Sequence, residues 1–111
     1  MVICVPVTRH GQVDPRWGRA ARVAVARVDA GSVSSWEEYD VGWDQLHDVG
    51  TEGGHHARVA RFLRDHHVGV VVAHLMGAEM LHMLGEMGVQ VQLEAAGDAR
   101  GAAVAAGHGP A

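Results

Sequence analysis

The sequence predicts an α/β domain whose five-stranded mixed sheet has the order 3-2-1-4-5, and three observations carry that expectation. Residues 2–7 form a continuous apolar run, the pattern of a strand buried on both faces. Residues 23–28 and 33–41 are strand-like runs on either side of the turn Asp29-Ala30-Gly31, the pattern of a hairpin. Residues 68–73 form another apolar run and residues 89–93 alternate as Val-Gln-Val-Gln-Leu, and each follows a stretch whose apolar residues recur at helical spacing.

The first strand runs out near Pro6. Residues 8–19 are then polar and punctuated by Gly11, Pro15 and Gly18, too long for a tight turn, and read as a binding loop. The hairpin follows, with Trp36 and Tyr39 on its second strand. A second polar loop covers residues 42–54. From 55 to 67 the period becomes helical, with Val59, Phe62, Leu63 and His66 on one face. Residues 68–73 read as a buried parallel strand and 78–87 as a second helix facing inward through Met80, Leu81, Leu84 and Met87. A last strand at 89–93 and a short alanine-rich helix at 98–106 complete one domain over 1–106, with 107–111 expected as a flexible tail. Helical crossovers join strands three to four and four to five, and such crossovers are right-handed. The hairpin makes strand two antiparallel, so strands 1, 3, 4 and 5 point the same way.

Composition removes several classes of function. No apolar run reaches the roughly 18–20 residues that a membrane helix needs. The first residues hold no basic region and no small-residue cleavage site, so they read as a strand and not a leader, and the expected compartment is the cytoplasm. The formal net charge of −4 weighs against a nucleic-acid partner, a class that presents a basic face. Cys4 is the one cysteine, which excludes an internal disulfide, four-thiolate zinc and ordinary iron–sulfur ligation. A metal must therefore be held by imidazole and carboxylate, or arrive with its own ligands. Every cationic side chain is arginine and asparagine is absent, a GC-rich codon pattern that does not account for nine histidines.

The strand order sorts those histidines. Ligands of open α/β sheets bind past the carboxyl ends of parallel strands, where connections diverge, here between strands one and four. His10, His47 and His74 lie in loops at that end, and His55 and His56 open the first helix there. Three or more convergent imidazoles suit a zinc, iron, copper or nickel ion; the bland alternative is a set of solvated loop histidines. Arg9, Arg16 and Arg19 have two readings as well: a solvated basic loop, or an anion site helped by helix N-terminal amides near Gly54 and Gly77. Met76 is the one methionine placed to face a ligand, while Trp17 and Trp43 read as loop anchors in the core.

Beyond these patterns, the chain resembles a known family. The strand Val2-Ile3-Cys4-Val5-Pro6-Val7 leads to a loop ending Arg16-Trp17-Gly18-Arg19-Ala20. A valine-rich strand ending at Asp29 and a glycine-rich entry to Ala57-Arg58-Val59-Ala60-Arg61-Phe62-Leu63 follow, and then Val70-Val71-Val72-Ala73-His74-Leu75-Met76-Gly77 before another helix. This order over residues 2–106 is similar to the dinitrogenase iron–molybdenum cofactor biosynthesis family, the NifX-like proteins. The resemblance implies a three-layer, ribonuclease-H-like fold and a non-enzymatic role in binding or carrying a metal–sulfur cofactor, with the proteins that deliver or accept it as partners and a homodimer left open. Where members often carry His-Phe-Gly-Arg, this chain has Arg16-Trp17-Gly18-Arg19, so the usual loop histidine is missing.

The expected ligand set is therefore a metal ion or metal–sulfur cluster at His10, His47, His55, His56 and His74, with Arg9, Arg16, Arg19, Met76 and Gly77 around it. Two other functions stay open: a metal-dependent hydrolase using Asp44 or Glu52 as base, and a metal-free interaction domain.

Overall fold

The computed structural model describes residues 1–108. Five strands and four helices follow one another as β1 (Val2–Pro6), β2 (Arg22–Asp29), β3 (Ser32–Asp40), α1 (Trp43–Leu46), α2 (Glu52–Asp65), β4 (Val70–Val72), α3 (Ala78–Glu86), β5 (Gln90–Gln92) and α4 (Ala99–His108). The strands form one open sheet in the order β3-β2-β1-β4-β5. β2 is antiparallel to both β1 and β3, whereas β1–β4 and β4–β5 are parallel, as the sequence predicts. The β2–β3 turn has positive φ at both central residues, 51° at Ala30 and 78° at Gly31, the backbone of a hairpin turn whose twist matches its strands.

Alternation along β1 divides the interior in two. Cys4 joins Trp17, Trp43, Val59, Leu63, Val71, Met80 and Leu84 on the face covered by α1, α2 and α3. Ile3 and Val5 join Ala24, Ala26, Val28, Val70 and Val72 on the face covered by Ala99, Ala103 and Ala106 of α4. The result is three layers, helices on each side of a sheet whose β1 and β4 are buried on both faces. Small side chains let α4 lie close: a Cβ on Gly107 would run into the Val28 side chain, its own Cβ lying 2.9 Å away.

Three local features depart from expectation. α1 occupies the start of the 42–54 loop; its four residues are too few to show a period, but Trp43 is buried and stacks edge-on against Trp17 at 5.3 Å. α2 begins at Glu52, capped by Thr51 Oγ1, which accepts from Gly54 N at 2.9 Å, so His55 and His56 lie inside the helix. α4 reaches His108, two residues past the expected end of the domain; the rest of the expected tail, 109–111, lies outside the described residues.

Candidate functional site

The loop after β1 travels beside the segment after β4, joined by a parallel bridge between Arg16 and Leu75. Past that bridge the two segments part, and an open cleft of about 950 Å³ lies at the carboxyl ends of β1 and β4. Trp17, Gly18 and Arg19 form one wall, Leu75 to Met80 another, and residues around His47, Glu52 and His56 the third. This is the divergence point between oppositely directed connections where ligands of open α/β sheets bind.

α3 points its N-terminus into this cleft. Its cap residue is Gly77, which offers no side-chain acceptor, and the first helical bond is Leu81 N to Gly77 O. The amides of Ala78, Glu79 and Met80 therefore have no partner within the helix, and the dipole adds positive character there. Arg19 is exposed and is the one arginine among the lining residues. Acids share the rim: Asp48, Glu52 and Glu79.

His55 is buried between these walls and holds them together. Its Nε2 lies 2.7 Å from Gly18 O and its Nδ1 2.8 Å from Arg58 Nη1, which also donates to Leu46 O at 3.1 Å. The neutral tautomer satisfies both contacts, with Nε2–H donating to the carbonyl and Nδ1 accepting from the guanidinium. Burial pushes the His55 pKa down, Arg58, His47 and His56 push it further, and the Gly18 carbonyl opposes them. Both nitrogens are thus in use, and His55 ties α2 to the 16–20 loop and to the end of α1.

The five predicted histidines do not share one point. His47, His55 and His56 line the cleft, while His10 and His74 do not. His10 is displaced because residues 8–13 close as a small hairpin, Val7 pairing with Val13, and the hairpin turns toward α4 through the Gln12–Asp98 bridge. Arg9 goes with it. His74 lies two residues past the end of β4, half-buried and outside the lining, and its buried Nδ1 has no partner. Arg16 leaves the cleft to pair with buried Asp14, Nε to Oδ1 at 3.4 Å. Asp44 is also outside the lining, whereas Met76 and Gly77 are part of it.

Among the described residues, one set of three potential metal ligands has donor atoms within 4.8 Å of one another: Glu52, His56 and Glu79. Glu52 and His56 are four apart on α2, one face of one helix, and Glu79 comes from the first turn of α3. Glu79 carried no sequence signal of its own, since an acid in a first helical turn is ordinary. Cys4 is 0% exposed and its thiol pKa is pushed far up by burial, so no thiolate reaches the cleft.

Solved structures share this architecture. The protein PH0822 superposes with a TM-score of 0.74 at 17% identity, covering 96% of this chain and 88% of its own. The apo form of the orange protein from Desulfovibrio gigas superposes with a TM-score of 0.72 at 29% identity, covering 94% of this chain and 83% of its own. No curated protein matches the sequence. The family described as dinitrogenase iron-molybdenum cofactor matches residues 1–108, and the chain belongs to that family.

Proposed function

We propose that the protein is a carrier that holds a metal–sulfur cofactor in the cleft past β1 and β4 and performs no chemistry on it. The observation that carries this reading is the cleft itself, which combines two kinds of recognition. Arg19 and the uncapped amides of α3 favour sulfide or other anionic ligands, and the Met76 thioether adds a soft contact. His47, His56 and the rim carboxylates offer nitrogen and oxygen donors to exposed metal. With its single thiol sealed in the core, the chain has no cysteine to bind the cargo, which would keep its inorganic ligands and remain transferable. Family membership supports the same class of cargo, and the orange protein, known in an apo form, supports a separable group.

Tetrathiomolybdate, a small coloured anion of the right chemistry, is the test. Mixed with untagged protein and passed over a sizing column, it should co-elute with the chain, and Arg19→Ala should release most of it. Elution of the colour entirely at small-molecule volume would sink the reading.

A further inference from the structure

We propose that Glu52, His56 and Glu79, which line this same cleft, also bind one divalent first-row metal ion in the absence of any cargo, and that the ion clasps the N-terminal ends of α2 and α3 together. The site needs no metal–sulfur cargo and stands whether or not the carrier reading does.

The donor geometry comes first. The two α2 ligands are stacked by the helix itself, four residues apart, and Glu79 faces them from the opposite wall, with all three donor atoms inside 4.8 Å. Ligands about 2.1 Å from a tetrahedral zinc sit roughly 3.4 Å from one another, so closure asks only for small side-chain rotations. His56 is half-buried, which restrains the ring, while both glutamates are exposed and free to adjust.

Second, these side chains are not used elsewhere. His47 pairs with Asp48, His82 with Glu86, and His55 with Gly18 and Arg58. Among the described residues, neither Glu52, His56 nor Glu79 has a side-chain hydrogen bond or ion pair. Two carboxylates thus approach each other with no ion-pair partner among the described residues, in a cleft whose lining also holds Arg19 and the His47–Asp48 pair. The helix N-termini do not reverse this balance: each contributes about half a positive charge, against a full negative charge on each glutamate.

Third, the donor set selects the ion. One imidazole and two carboxylates suit Zn²⁺, Co²⁺, Fe²⁺ or Mn²⁺, and the lack of thiolate disfavours Cu(I). Three protein ligands would leave a tetrahedral ion one open position.

The test uses untagged, chelator-stripped full chain and Co²⁺ as the probe. Visible d–d absorption should saturate at one equivalent, and Zn²⁺ should displace it. Glu79→Gln and His56→Gln should each weaken Co²⁺ binding by about 10- to 100-fold, the size that even a supporting residue of a metal site can cost. His82→Gln, which removes a surface histidine of α3, should leave it unchanged. Zn²⁺ should also raise the thermal midpoint of the wild type and not that of Glu79→Gln, since the clasp joins two helices. Circular dichroism of each metal-free variant separates lost binding from lost fold. Absence of Co²⁺ binding, or binding that Glu79→Gln and His56→Gln leave intact, would overturn the site. Tetrathiomolybdate capture without Co²⁺ binding, or the reverse, tells this failure apart from failure of the carrier reading.

Discussion

The Nε2 of His55 lies 2.7 Å from the carbonyl oxygen of Gly18, and this contact ties the cleft wall that carries Arg19 to helix α2. Its removal leaves a half-buried carbonyl without a donor and Arg58 without its ring acceptor. His55→Ala should therefore destabilise the fold by about 1–3 kcal/mol. Amide exchange should speed up at residues 16–20 before it does in β1 or β4. Uniform acceleration across the sheet would instead mean that the contact is not a local tether.

The same imidazole makes stability depend on pH. Its folded pKa lies below the ordinary value of 6.5, because burial and Arg58 penalise the charged ring. The unfolded chain therefore takes up the proton first, and stability present above about pH 6.5 is lost as pH falls toward the folded pKa. Urea midpoints measured on stripped protein between pH 7.5 and 5 should fall more steeply for wild type than for His55→Gln. Parallel curves would contradict the assignment.

Gly107 offers a test of the opposite face. A methyl there meets the stiff, branched Val28, which cannot swing away. Gly107→Ala should cost about 1–3 kcal/mol by overpacking despite alanine's better helix propensity, with no change in cleft ligands. A stabilised variant in thermal melts would show that α4 moves off the sheet at no cost.

Ala30 is the reverse case. Its φ of 51° places an ordinary side chain in the left-handed region, next to a glycine that already suits the turn. Ala30→Asn creates the preferred Asn-Gly pair and should raise stability by up to about 1 kcal/mol, several degrees in a chain of this size. An unchanged melting temperature would count against strain at this position.

The sheet order was readable because each strand leaves a different trace. Val70, Val71 and Val72 are apolar on both faces, as a central parallel strand must be, and the two-residue hairpin at Ala30-Gly31 forces antiparallel pairing. The site was readable only in part. His47, His55 and His56 were placed by topology alone, but topology says nothing about what a ring is bonded to, and the Gly18 and Arg58 contacts of His55 span the fold. His10 depends on a finer feature, a six-residue hairpin that turns toward α4, and His74 on the path of the chain past the end of β4, where alternation no longer applies. Glu79 gains meaning only from its distance to α2, a quantity that no linear pattern contains.

Cys4 has a practical consequence. As the only thiol, fully enclosed within β1 and held protonated by burial, it should be inert to maleimide and to air in the folded state. The protein is thus a ready blank for labelling. A cysteine introduced at exposed Val49, between the lining residues Asp48 and Gly50, and another at exposed Leu75 would be the only reactive pair, and a spin or dye couple there would report any change in the distance between these two segments as ligand or metal is added.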